Sequence, residues 1–210
     1  MQRIAVVIGH PRPASLNHAL AERYAQAARD HGADVRIIDL ATSNFPLSTA
    51  DAALLQVGGP DDLERLGPDL ADMARTVLWA EHLLIVHPVW WGTYPAVLKG
   101  FIDRVFLSGI AFKYRARGAG WDRLLAGRTA RIIYTMDAPR WFNRLKYRRP
   151  GEMSLRNPLL WYCGIRTLGS TSFGPVRGSS SETRERWLVS ASEHGRKDAQ
   201  RSGKKEVRTA

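Results

Sequence analysis

The sequence predicts a three-layer α/β sandwich: one open sheet of five parallel strands, ordered 2-1-3-4-5, with helices on both faces. Three observations predict it. Short runs of β-branched and aliphatic residues alternate with segments of helical periodicity along most of the chain. Segments of helical length separate successive strands, and right-handed crossovers of that kind lay parallel strands side by side with both faces covered. The 210 residues suffice for one such domain with a full core and are few for two.

Strand one is expected at residues 3–8. A helix follows Ser15, a good N-cap, with Leu16, Ala19, Leu20, Tyr24 and Ala27 at helical spacing and a stop near Gly32. Strand two covers 34–39. Residues 40–67 contain Pro46, Gly58, Gly59 and Pro60 and read as loop. A helix over 68–79 leads to strand three at 82–87 and a loop with two adjacent tryptophans. Pro95 opens the next helix, whose Val97, Leu98, Phe101, Ile102, Val105 and Phe106 share one face. Strand four is 130–135, followed by a Pro- and Arg-containing excursion over 136–151. A short helix near 158–163, strand five at 166–173 and a helix over about 181–193 complete the domain, taken as 1–194. Residues 195–210 are polar, basic and aperiodic, and are expected to be a disordered tail.

Composition is that of an ordinary globular domain, 44% hydrophobic and 24% charged. With the single cysteine Cys163, read as a small buried residue, no disulfide frame or cysteine zinc site is available. No apolar stretch approaches the roughly 20 residues of a membrane helix. The run 4–8 is too short for a signal-peptide core. A soluble cytoplasmic protein is expected. Charge is uneven: residues 1–112 hold 9 Lys/Arg against 12 Asp/Glu, and residues 113–210 hold 22 against 8. The basic tail therefore offers nucleic acid or an anionic membrane as an alternative partner, ranked below a solvated face.

Open α/β sheets bind ligands beyond the carboxyl ends of their strands, and three loops are expected to meet there. The first, Gly9 to Asn17, places the free N–H groups after Ser15, with His10 and Arg12, where they suit a phosphate. It carries neither the dinucleotide fingerprint G-x-G-x-x-G nor a P-loop. The second raises Trp90 and Trp91, two apolar planes that are costly unless something flat, such as a flavin, covers them. The third is Thr135-Met136-Asp137-Ala138-Pro139-Arg140-Trp141, with Trp141 or Phe142 placed to lie over a ring. No G-x-S-x-G elbow and no histidine ligand spacing supports a hydrolase or metalloenzyme.

Pro88-Val89-Trp90-Trp91, then Pro95 through Phe106, then Gly109-Ile110-Ala111-Phe112-Lys113-Tyr114, resemble the flavodoxin-like NAD(P)H:quinone oxidoreductases, a family that includes DT-diaphorase and the modulator of drug activity B. His10 with Ser15-Leu16-Asn17, Phe173-Gly174-Pro175-Val176 and Ser180 with Arg184 extend the likeness over nearly the whole chain. The resemblance implies a noncovalent flavin (FAD, with FMN as the alternative), a homodimer, and ping-pong transfer of two electrons from NAD(P)H to quinones or similar acceptors. It implies His10, Ser15, Leu16 and Asn17 at the cofactor's phosphate, and Pro88, Val89, Trp90 and Trp91 at the isoalloxazine. Trp91 would also face the substrate, Thr135, Met136 and Asp137 would edge the ring, and Arg184 would approach an adenine. Asp137-Ala138 replace the family's Gly-Gly, and neither Trp141 nor Phe142 can shuttle a proton as the family's tyrosine and histidine do. No general acid is assigned. An ionised Asp137 beside the ring would lower the flavin's potential. An electron carrier or regulatory subunit with little turnover is the alternative. Arg140, Arg144, Lys146, Arg148 and Arg149, beside the expected nicotinamide entrance, lean the donor toward NADPH.

Overall fold

The computed structural model describes residues 1–201. Its strands and helices are β1 (Arg3–Ile8), α1 (Leu16–Asp30), β2 (Asp34–Asp39), α2 (Pro68–Trp79), β3 (His82–Pro88), α3 (Ala96–Val105), β4 (Phe112–Tyr114), β5 (Trp121–Arg123), β6 (Thr129–Thr135), α4 (Arg140–Leu145), α5 (Pro150–Ser154), β7 (Arg166–Phe173) and α6 (Ser181–Ala199). The large sheet runs β2-β1-β3-β6-β7, all parallel, which is the expected order once the short pair β4–β5 is set aside. Its strands finish in step: Ile8 pairs with Asp39 and Val86, Pro88 with Thr135, and Thr135 with Phe173. The loops that follow therefore start at one level.

Side chains alternate across the strands and build two cores. Ala5, Val7, Leu83, Ile85 and Ile132 pack with α2 and α3, while Ile4, Val6, Ile8, Leu84, Val86 and Ile133 pack with α1 and the Trp187–Leu188 stretch of α6. Cys163 lies in the first core, where burial pushes its thiol up to about 12 and leaves it unreactive. Among the described residues no helix is long and apolar enough to cross a membrane.

The structure corrects several expectations. The last helix reaches Ala199, so residues 195–199 belong to the folded domain. Gly195 lies within that helix: a Cβ there would lie 2.2 Å from the Tyr24 carbonyl oxygen, so glycine is required for the close approach of α6 to α1. The part of the tail over 202–210 lies outside the described residues. The antiparallel pair β4–β5 was not foreseen, because three-residue strands are too short to show a period. Residues 40–67 contain two 3-10 segments, Ala52–Leu55 and Pro60–Leu66. Pro95 is the N-cap of α3, extended at ψ 154, rather than its first helical residue. The short helix expected at 158–163 is a π-helical turn, Leu155–Trp161, with Pro158 inside it. On α1 the buried face includes Asn17, Leu20, Ala21, Tyr24 and Ala28, while Leu16, Ala19 and Ala27 are half-buried.

Candidate functional site

The three loops do converge. Asn17 in the first turn of α1 donates from Nδ2 to Thr135 Oγ1 at 3.0 Å, joining residues 118 apart in sequence. Both side chains are buried. The loop after β3 joins the same knot, because Val89 N–H donates to the Thr135 carbonyl at 2.7 Å. Met136 N–H donates to Phe173 O, and Val176 N–H donates back to Met136 O. The ends of β3, β6 and β7 are thus stitched around the start of α1, at the point where the strand order reverses.

At that start Ser15 caps α1, its Oγ accepting from His18 N–H. The chain enters through Ala14 in the left-handed region, φ 53. The N–H groups of Leu16 and Asn17 have no intrahelical partner, as in any first turn, and with the helix dipole they favour an anion. His10 stands beside them, 7% exposed, its ring centroid 6.2 Å from that of His18 and 5.6 Å from that of Trp90. Its Nδ1 accepts from Arg12 N–H, which leaves Nε2 as a donor without a protein partner. Burial first, and the neighbouring His18 second, lower its pKa, so the ring is a neutral donor at pH 7. This donor set suits a phosphate.

The tryptophans form the opposite wall. Trp90 N–H donates to Thr93 O, and Thr93 N–H returns to Trp90 O, closing a two-residue hairpin turn. Both central residues, Trp91 (φ 51) and Gly92 (φ 81), are left-handed, the geometry that primed turns require. For Trp91 that conformation costs about 1–2 kcal/mol, and its side chain is fully exposed at 101%. A strained, uncovered indole next to a phosphate cradle fits a flat ligand that carries phosphate.

Behind this turn lies a polar cluster that the sequence did not reveal. His87 is fully buried, stacked on Tyr134 at 5.8 Å and edge-on to Tyr94. Its Nδ1 donates to Pro88 O, Nε2 has no partner, and burial lowers its pKa to about 4. The Tyr134 hydroxyl donates to the buried carboxylate of Glu152 at 2.9 Å, which also accepts from Arg149. Burial, then Glu152, push Tyr134 up to about 12. Glu152 sits on α5, and Gly151 N–H donates to Gly92 O at 3.0 Å. The long excursion is therefore pinned to the tryptophan turn.

Pro88 is buried and Val89 half-buried at the base of that turn. Leu16 is half-buried at the start of α1, and Met136 is buried beside Thr135. Asp137 also holds the chain: its Oδ1 accepts from Arg177 N–H at 2.7 Å, so the carboxylate clamps two loops together. Arg184 reaches the same end but is bonded to Ser179 Oγ and Val176 O. Trp141 is exposed on α4, and Phe142 packs edge-on between Trp141 and Tyr147. Of the five cations expected at the entrance, Arg149 is committed to Glu152. His18 and Asp39 were also missed. Their signal was positional: Asp39 ends the strand beside β1, and His18 lies three residues after a helix cap.

A parallel sheet with donors and exposed aromatics gathered at its switch point defines a protein of the open α/β class. A family model described as a flavodoxin-like fold matches residues 2–194, and the chain belongs to that family. An uncharacterized NAD(P)H oxidoreductase of Escherichia coli is 33% identical over 112 residues, 53% of this chain and 56% of the relative, so the chain spans little more than half the length of that protein. The ribosyldihydronicotinamide dehydrogenase [quinone] of Rattus norvegicus is 26% identical over 211 residues, 90% of this chain and 88% of the relative. Among solved structures, Smu.1420 from Streptococcus mutans superposes with a TM-score of 0.76 at 26% identity, covering 93% of this chain and 100% of that one. An FMN-dependent NADH-azoreductase from Bacillus anthracis, in complex with FMN, shares the fold with a TM-score of 0.70 at 15% identity, over 95% of this chain and 100% of that one.

Proposed function

We propose that the protein is a flavin-dependent NAD(P)H oxidoreductase that reduces quinones or related acceptors. The observation that carries this reading is the pairing of a phosphate cradle (Ser15, His10 and the first turn of α1) with the strained, exposed Trp91 turn, locked together through Asn17 and Thr135. Relatives named as an NAD(P)H oxidoreductase and a quinone dehydrogenase support it. A bound flavin would supply the two-electron exchange between nicotinamide and acceptor. The chain's residues bind and orient. Ser15, His10 and the N–H groups of Leu16 and Asn17 would hold phosphate, Pro88, Val89, Trp90 and Trp91 would bound the rings, and Thr135 and Met136 would edge them. Asp137 sets the position of the 176–179 turn, and Arg184 fixes that turn from the other side. FAD and FMN are both compatible with the cradle.

We also propose a two-fold dimer. Tyr114, Leu124 and Trp161 are exposed on one lobe, where Trp121 stacks on Tyr162 at 4.3 Å and Arg123 lies 4.2 Å over Trp161. Apolar surface of that kind is normally covered by a second copy. The test is direct. The purified protein should release a flavin on heating, identified by mass, and consume NADPH with menadione in steady state. Flavin without turnover would leave an electron carrier, and absence of any flavin affinity would overturn the reading. Replacing Trp141 and Phe142 together by alanine should change kinetics with bulky quinones more than flavin affinity.

A further inference from the structure

We propose that the chain carries a second ligand site, apart from the loops around Thr135: a basic cavity beside the edge strand β7 that binds an organic phosphate bearing a flat ring, of the nucleoside-monophosphate class. The proposal does not rest on the flavin reading. The cavity, about 420 Å³ in volume, is lined by Arg123 of β5, Arg156, Asn157 and Trp161 of the π-helical turn, and Arg166 and Thr167 at the start of β7. Its volume suits a small organic ligand. The 8 residues of β7 separate Arg166 from Phe173 at the other site, roughly 25 Å at about 3.3 Å per residue.

Backbone bonds hold the walls. Trp121 Nε1 donates to Tyr162 O at 2.9 Å and Leu125 N–H to Cys163 O at 3.2 Å, joining β5 and the residues after it to the end of the π-helical turn. Arg166 N–H donates to Arg128 O at 2.9 Å, which fixes the start of β7. The three guanidiniums, by contrast, make no ion pair and no hydrogen bond among the described residues. Residues 113–166 hold 13 Lys/Arg against three acids, and each acid is engaged elsewhere: Asp122 by Arg115, Asp137 by Arg177 N–H, and Glu152 by Arg149 and Tyr134. Like charges around one cavity repel each other, and an anion is the counter-charge that these residues do not supply.

The side chains specify the anion. Arg123 lies 4.2 Å over the Trp161 ring. A guanidinium stacked in that way keeps its N–H edge free for paired bonds to phosphate oxygens. A phosphate monoester brings about two charges and three acceptor oxygens, which three guanidiniums match better than they match a single carboxylate. Trp161 is 54% exposed, and its uncovered indole surface offers a ring a place to stack. Asn157, also exposed, carries donors and an acceptor for the ring's polar edge. One cavity of this size takes one nucleotide-sized group, unlike the grooves that track a nucleic-acid backbone. Trp161 also borders the lobe proposed above to meet a second copy, so a dimer would carry two such cavities beside its interface.

Titration calorimetry of the full-length protein as purified tests this with AMP, adenosine, ribose 5-phosphate and a short single-stranded oligonucleotide. AMP should bind saturably, one per chain, with a Kd below about 1 mM at low salt that rises as salt is added. Adenosine and ribose 5-phosphate should each bind at least about fivefold more weakly, the first for want of the phosphate and the second for want of the ring. Arg156→Ala and Arg166→Ala should each weaken AMP about two- to fivefold, their combination more, and Trp161→Ala at least about fivefold. The kcat/KM for NADPH should be unchanged in both arginine variants. The proposal is overturned by absence of saturable AMP binding, by equal binding of adenosine, or by undiminished AMP affinity when both arginines are replaced. A parallel loss of NADPH kinetics would overturn it by placing AMP at the donor site. An oligonucleotide bound far more tightly than AMP, with a steep salt dependence, would overturn it in favour of a nucleic-acid surface. Calorimetry reads AMP binding whether or not flavin is present, so failure of the flavin reading leaves this test intact.

Discussion

At the amino end of the sheet, Asp198 on α6 is 1% exposed and fully engaged. Arg131 of β6 clasps it through Nε at 2.6 Å and Nη2 at 2.9 Å, the Tyr24 hydroxyl donates at 3.0 Å, and His82 Nε2 makes a 3.3 Å ion contact. At the carboxyl end, His87 is buried with Nε2 unpaired, His10 has a free donor, and Trp91 is strained and bare. At the amino end the carboxylate is satisfied, although His82 Nε2 itself makes no hydrogen bond, and at the carboxyl end ring nitrogens and an indole are left open. The difference teaches where the molecule holds itself together and where it holds something else. A polar group buried without a partner costs stability, and such costs persist where the arrangement serves binding.

The largest expected effect lies at the amino end. Asp198→Asn leaves the Arg131 guanidinium without its counter-charge and should cost about 3–5 kcal/mol in urea unfolding, the range for breaking one partner of a buried pair. Flavin affinity of the folded fraction should not change. A variant of normal stability that loses flavin would show that the two ends are not separate.

Acid should separate the ends next. Burial would raise the Asp198 pKa, but the hydrogen bonds from Arg131, with His82 close by, outweigh it and hold the carboxyl well below its usual range. Its contribution is therefore present above the unfolded carboxylate value of about 4 and lost only as pH falls through the depressed folded value. His87 is also depressed, from 6.5 to about 4, by burial. Its contribution is full above the unfolded value and is lost as pH falls from 6.5 toward 4, on the order of 3 kcal/mol. The site end should fail first. His87→Phe, which keeps a ring against Tyr134, should flatten the stability profile between pH 6.5 and 4. An unchanged profile would move the acid-sensitive group elsewhere.

How much of this was legible in the sequence follows the same division. The sheet order was readable, because strands buried on both faces show as apolar runs and the crossover rule leaves few topologies. The convergence of three loops followed from that order. Unreadable were features set by long-range contact. Asn17 and Thr135 are 118 residues apart, Glu152 meets Tyr134 only because α5 folds back, and Gly195 is explained only by its close approach to Tyr24. Trp91-Gly92 gave no turn signal, since primed turns are normally read from Asn-Gly or Asp-Gly. Asp137 was placed in the correct loop, but its backbone partner, Arg177, lies 40 residues on.

Trp91→Gly sharpens the comparison with a smaller effect of opposite sign. Glycine adopts φ 51 freely, and a fully exposed indole contributes little packing to the folded chain. Relief of strain should offset glycine's unfolded-state entropy, giving a change between zero and about 1 kcal/mol of stabilisation. Flavin retention or acceptor kinetics should worsen at the same time. A clear loss of stability in the monomer would mean that Trp91 supports the fold rather than the site.

The smallest effect concerns the electron donor. Arg140, Arg144, Lys146 and Arg148 lie on or beside α4 at the carboxyl end, all exposed, and none forms an ion pair among the described residues. Arg149 differs, because Glu152 already neutralises it. A 2′-phosphate brings about two negative charges and three acceptor oxygens, which guanidinium forks match in geometry. Exposed pairs of this kind contribute about 0.2–1 kcal/mol each and are screened by salt, with a Debye length near 10 Å at 0.1 M. NADPH should therefore be preferred over NADH in kcat/KM by a modest factor at low ionic strength, and the ratio should fall toward one as salt rises. Arg144→Ala should lower the ratio, and Arg149→Ala should instead disturb the tryptophan turn through Glu152 and affect both donors alike. A preference for NADH at low salt would return these arginines to plain solvation and leave the site end with no charge selectivity of its own.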